Sequence, residues 1–221
     1  MDFKIKDKNP IPVPSLRRLP LYHHYLKEQI NKNILFTSAT IIAEDLNLIP
    51  IQVRKDLSYT GIIGKPKLGY DIKELASTIE TFLGWHNTKN AFLVGTGNLG
   101  EAILGYNGFN DIGIKIIGGF DVDKNKIGRE INNVKILPVE KLESLIKRMK
   151  IKIGIITVSA KAAQDIANIM VNAGIKAIWN FSPVKLKIPP DVIVQSENLA
   201  TSLSVLVKKL EIKINLGEIN E

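Results

Sequence analysis

The chain has 221 residues, 45% hydrophobic and 24% charged, with a formal net charge of +8. That is the composition of a folded globular chain long enough for two small cores, and no window approaches the roughly eighteen uninterrupted apolar residues of a membrane span. Without cysteine it can build neither a disulfide framework nor a thiolate metal site or nucleophile. The basic excess is divided. Residues 1–85 hold 12 Lys/Arg and 9 Asp/Glu (+3), and residues 86–221 hold 18 and 13 (+5), so bulk charge permits a nucleic-acid partner without pointing to one. Met1 to Lys8 is charged with no apolar run behind it, which predicts no secretory leader and a cytoplasmic protein.

Pro10 to Pro14 is a proline-punctuated leading segment. Leu16, Leu19, Tyr22, Leu26 and Ile30 then recur at helical spacing, which predicts a helix over about 15–32, kinked or delayed by Pro20. Thr37 or Ser38 is the expected cap of a second helix reaching Asn47, with Ile41, Ile42 and Leu46 buried. Pro50 opens a third helix to Ser58 that buries Ile51, Val53 and Leu57 and shows Gln52, Arg54, Lys55 and Ser58 on its other faces. Three short helices followed by glycine-marked extended residues 61–70 outline a winged helix-turn-helix. In that arrangement the third helix enters the major groove, where Arg54 and Lys55 reach guanine or phosphate and Gln52 reads adenine. Gly64 to Gly69, carrying Lys65 and Lys67, forms a basic wing suited to a minor groove. Amphipathic helices with basic surfaces occur in many folds, so this pattern alone leaves DNA binding open. A helix over about 71–83, buried through Ile72, Leu75, Ile79 and Leu83, leads to the expected boundary at Gly84 to Asn87.

Ala91 to Gly100 is an apolar run ending in Gly-Thr-Gly-Asn-Leu-Gly. Gly95 allows the tight turn, Gly97 lets a pyrophosphate approach the backbone, and Gly100 lets the following helix pack on the strand. A helix is expected to about Tyr106, then a strand over 114–120 ending at Asp121, near the position where a carboxylate accepts both ribose hydroxyls. That charge favours NAD(H) over a 2′-phosphorylated cofactor, an argument that Lys124 and Lys126 blunt. A strand over 134–136, a helix over 138–150, a strand over 153–158, a helix over 160–174 and a strand over 177–180 continue the alternation of a doubly wound parallel sheet. Leu199, Leu203, Leu206 and Leu210 form a stripe on a last helix over about 196–211, which either closes its own sheet or docks on a partner subunit.

A dehydrogenase would need a proton donor beside the nicotinamide. His23, His24 and His86 all precede the first strand of the dinucleotide fold, Tyr106 is its one tyrosine, and no substrate domain follows. The chain therefore reads as a non-enzyme in which the cofactor is a signal.

Arg18-Leu-Pro-Leu-Tyr22, Gln52-Val-Arg-Lys-Asp-Leu-Ser-Tyr59, Gly69-Tyr70, the glycine-rich turn, Phe120-Asp-Val-Asp123, Ala173-Gly-Ile-Lys176 and Asn180-Phe-Ser-Pro183 occur in that order. Together they resemble the Rex family, bacterial repressors that sense the NADH/NAD+ balance, over nearly the whole chain. The resemblance implies an α/β protein: a winged helix-turn-helix over 1–85, a Rossmann-like doubly wound sheet over 86–195, and over 196–221 a dimerisation helix exchanged between subunits, with a tail. It further implies a homodimer that binds palindromic operator DNA and is released when NADH occupies the Rossmann domain. The implied DNA-binding residues are Arg18, Gln52, Arg54, Lys55, Ser58, Tyr59, Lys65 and Lys67. The implied cofactor residues are Gly95, Thr96, Gly97, Asn98, Leu99, Gly100, Asp121, Lys126, Thr157 and Val158, with Tyr106 and Phe181 toward the nicotinamide and the dimer contact. Three positions depart from the family pattern. Pro66-Lys67 replaces an Arg-Gly pair in the wing, Ser159 replaces a proline, and Glu197-Asn198-Leu199 stands where the last helix starts Val-Asp-Leu. Two alternatives follow: a DNA-binding paralogue with a weakened NADH response, or a nucleotide- or CoA-binding protein whose N-terminal helices only dimerise.

Overall fold

A computed structural model describes residues 11–216, so Pro10, the charged first residues and the last five lie outside the described residues. The chain divides into two compact units, residues 1–87 and 88–221.

The first unit holds α1 (Val13–Asn31), β1 (Phe36–Thr37), α2 (Ala39–Asp45), α3 (Pro50–Ser58), β2 (Tyr70–Asp71) and α4 (Ile72–Leu83). α1 starts earlier than its spacing suggests, because Pro14 sits in the first turn, where a missing N–H costs nothing. Pro20 stays inside the helix. Its exposed ring gives up one backbone bond, while Leu19, Tyr22 and Leu26 bury completely around it. The Ser38 side chain caps α2 by accepting from the Ile41 amide, and Asp71 caps α4 by accepting from Lys73 and Glu74. Three residues expected in the core are instead exposed: Leu16, Ile41 and Ile51. In α2 the inward arc is Ala39, Ile42 and Ala43. In α3 it is Val53, Asp56 and Leu57, an arc at i, i+3 and i+4 that includes a buried acid and leaves Ile51 on another face. β2 pairs antiparallel with β1, and Gly69 is required there. Its φ is +84°, and a Cβ would lie 2.2 Å from the Thr37 carbonyl oxygen. A bridge between Lys65 and Gly69 closes the basic turn before β2.

The second unit is a sheet in the order β5-β6-β4-β3-β7-β8-β9, flanked by helices. Its strands are β3 (Lys89–Val94), β4 (Ile114–Asp121), β5 (Glu130–Ile131), β6 (Val134–Pro138), β7 (Ile153–Ile156), β8 (Ala177–Asn180) and β9 (Ile193–Ser196). All neighbours pair parallel except β5 with β6. The helices are α5 (Asn98–Leu104), α6 (Gly108–Asp111), α7 (Leu142–Met149), α8 (Ala160–Ala173) and α9 (Leu199–Asn215). Alternation along β3 sends Ala91 and Leu93 into one core with Ile103 and Ile136, and Phe92 and Val94 into the other with Phe120 and Met170. The chain runs outward from β3 to one edge, then returns to build the other half from β7. The reversal lies between β3 and β7, and a crevice opens at their carboxyl ends, the expected ligand position of such sheets.

Several boundaries differ from the expectations. The helix after the glycine turn ends at Leu104 rather than Tyr106, and a 3₁₀ turn over Val139–Lys141 replaces the start of the expected 138–150 helix. Ser196 ends a strand instead of opening the last helix. Glu197 precedes that helix and Asn198 caps it, accepting from the Thr201 amide.

Candidate functional site

The crevice is a cleft of about 370 Å³. Of the expected cofactor residues, Gly95, Gly97, Asp121, Lys126, Thr157 and Val158 line it. The glycines divide by necessity. Gly95 has φ +97°, and a Cβ would come within 2.8 Å of the Thr157 backbone. A Cβ on Gly100 would lie 2.0 Å from the Gly95 carbonyl oxygen. Around Gly97 there is nothing within 4 Å, so its missing side chain leaves room beside the backbone for a phosphate-sized group. Gly97 also occupies the cap position of α5 without a side-chain cap, which leaves first-turn amides available.

Asp121 ties the turn to the sheet. One carboxylate oxygen accepts from the Thr96 amide and hydroxyl, both at 2.7 Å, and the other from the Val122 and Asp123 amides. Burial pushes this carboxyl upward, but the amides of Asp123, Thr96 and Val122 and the Thr96 hydroxyl outweigh it and hold the group below the usual carboxylate range. The Thr96 hydroxyl is the one rotatable donor among the four, the other three being backbone amides. The Lys126 ammonium donates to the Thr96 carbonyl, and the Thr157 hydroxyl donates to the Gly95 carbonyl at 2.6 Å. Thr96 is fully buried, while Asn98 and Leu99 are exposed on the first turn of α5.

Tyr106 and Phe181 do not line this cleft. They belong to a chain of packed rings, Tyr106–Phe109–Trp179–Phe181, edge-on except for the tilted last pair, with centroids 4.4 to 5.7 Å apart, and the Trp179 indole donates to Glu197. Sequence reasoning missed Phe109 and Trp179, which carry no spacing signal. It also missed Asp123, Ser159 and Ala162 as cleft residues, although the second acid of Asp-Val-Asp was visible.

In the first unit Arg54, Lys55, Ser58, Lys65 and Lys67 are exposed, and Gln52 and Tyr59 are half-buried. The Lys65 ammonium lies 5.6 Å from the Phe36 ring centre. Arg18 is engaged internally. Its guanidinium grips buried Asp56 through two bonds of 2.6 and 2.8 Å, and the Tyr22 hydroxyl donates to the same carboxylate at 2.7 Å. Burial would raise the Asp56 carboxyl, but Arg18, Ser15 and Tyr22 hold it below the usual range. His23 meets Glu80 at 2.7 Å and packs edge-on to Trp85, so this imidazole has a structural partner.

A family model described as "Putative DNA-binding protein N-terminus" matches residues 10–58, and one described as "CoA binding domain" matches residues 86–184. The Redox-sensing transcriptional repressor Rex of Treponema denticola is 49% identical over 90% of this chain and 95% of its own. The chain belongs to the Rex family. Rex of Carboxydothermus hydrogenoformans is 43% identical over 89% of this chain and 94% of its own. Among solved structures, the Rex-family repressor RSP in complex with β-NAD+ and operator DNA has a TM-score of 0.87 at 36% identity, covering 97% of this chain and all of its own. RSP in complex with β-NADH has a TM-score of 0.86, covering 96% and 99%. Rex proteins are redox-sensing transcriptional repressors, not enzymes. Among the described residues no helix is long and apolar enough to cross a membrane.

Proposed function

We propose that this Rex protein is a cytoplasmic homodimer that represses transcription by binding a palindromic operator and lets go when NADH fills the cleft at the ends of β3 and β7. The observation that carries the reading is the glycine cradle: Gly95 and Gly100 admit no side chain, while Gly97 opens onto free space. A dinucleotide fits it. The pyrophosphate would lie against Gly97 and the first amides of α5, and the adenosine ribose against Asp121. RSP has been crystallised with β-NAD+ and operator DNA and with β-NADH, and the same ligands suit this chain.

Two copies of the first unit would present two α3 helices to successive major-groove half-sites, with Arg54 and Lys55 on base edges or phosphates and Lys65 and Lys67 in a wing toward a neighbouring minor groove. NADH can release DNA only through a difference in affinity between the DNA-competent arrangement and another. Its uncharged nicotinamide enters an apolar surrounding more readily than the NAD+ cation.

A second reading is a repressor with a weakened NADH response. It is favoured by Asn198, a neutral cap of α9 where the family pattern has an aspartate. Replacing Arg54 and Lys55 together by Ala tests the DNA assignment. Operator affinity should fall at least about thirtyfold while NADH affinity stays unchanged, since each good base contact carries about 1–3 kcal/mol. Undiminished operator binding would contradict it.

A further inference from the structure

α3 carries two opposed stripes. Val53, Asp56 and Leu57 face the core, and Ile51, Arg54, Lys55 and Ser58, at i, i+3, i+4 and i+7, form the exposed face. At the head of this basic stripe stands Ile51, 73% exposed. A large aliphatic side chain beside an arginine and a lysine adds nothing to phosphate binding and is left in water in the free protein. Its position is informative, because the amino-terminal residues of a recognition helix are those that meet base edges. In the major groove the apolar feature of a base edge is the 5-methyl group of thymine. Arg54 and Lys55 bring the charge complementarity that holds this stripe against DNA, and Ile51 shares their face.

We infer that Ile51 is a specificity-determining residue that packs on a thymine 5-methyl group in each operator half-site. This rests on the reading of the chain as an operator-binding repressor. It assigns Ile51 a function that a sequence pattern would give to the core. The basic side chains supply affinity for any duplex, and Ile51 adds a preference for thymine over cytosine or uracil at one position per half-site.

The test uses the full chain and a duplex it selects itself. A randomised duplex pool is enriched on the wild-type protein. The selected palindrome is then made with each symmetric pair of thymines replaced in turn by deoxyuridine, which removes the methyl group alone. Anisotropy at one salt concentration is read for wild type and Ile51→Ala, with melting curves confirming that the exposed substitution leaves the fold intact. One pair should weaken wild-type binding about fifteenfold, about fourfold per methyl in contact with an apolar side chain, and should leave Ile51→Ala nearly unaffected. If the wild type selects a palindrome but every deoxyuridine pair affects the two proteins equally, the inference falls and the repressor reading stands. If the wild type enriches no sequence, both fall.

Discussion

At the residue scale the two sites rest on a few groups whose replacement has separable effects. Gly97→Ala and Gly100→Ala differ by one methyl group each. The first should melt like wild type and lose NADH binding tenfold or more, since its Cβ enters the open space of the cradle. The second should lower the melting temperature of the second unit, because its Cβ would collide with the Gly95 carbonyl. Thermal melts and NADH fluorescence titrations distinguish them. Asp56→Asn leaves the Arg18 guanidinium facing a neutral amide, and its cost should be about 3 kcal/mol, the low end for a broken buried pair because Arg18 is 20% exposed. Trp85, with Trp179 replaced by Phe, reports urea unfolding of this unit. The pH dependence has a definite sign. The folded Asp56 carboxyl lies below its unfolded value, so its contribution is complete above about pH 4 and disappears as the pH falls further. Asp56→Asn should therefore flatten the acid limb of stability. Spacing was enough to single out the glycine turn and Asp121 as candidate positions. It could not show that Arg18 belongs to Asp56, since the partners are 38 residues apart and only tertiary packing joins them.

At the element scale, legibility followed burial. Strands β3, β4 and β7 sit mid-sheet with largely apolar sequences and were visible in the sequence. β5 has two residues, and β9 is an edge strand whose Ile193 is exposed, so neither carries a readable period. The exposed stripe of α3 was misread because Ile51 fits a helical core pattern as well as a DNA-facing one. α9 poses the opposite case. Its stripe was plain, but in the single chain Leu203, Leu206, Val207 and Leu210 are all exposed along one face, with Val205 and Ile212 exposed on another. Such a helix needs a surface from elsewhere, and a second subunit supplies it in the homodimer proposed above. Leu206→Glu with Leu210→Glu should convert dimers to monomers in sedimentation equilibrium and weaken operator binding together. A dimer unaffected by both charges would place the interface on another element.

At the scale of the whole molecule, one chain joins a DNA-reading unit to a dinucleotide fold, and its Rex relatives are transcriptional repressors rather than enzymes. The fold class, the glycine-rich site and the family were all legible, because each depends on local spacing repeated in order along the chain. Coupling between sensor and reader was not, because it depends on the energy difference between two arrangements of a dimer. Asn198, the cap of α9, does not line the cleft. The most direct test is fluorescence anisotropy of a labelled palindromic AT-rich operator duplex at one salt concentration, with NADH and NAD+ titrated separately. Release by NADH at concentrations where NAD+ leaves the complex intact is the predicted result. Operator binding indifferent to both nucleotides, or equally sensitive to both, would contradict the account.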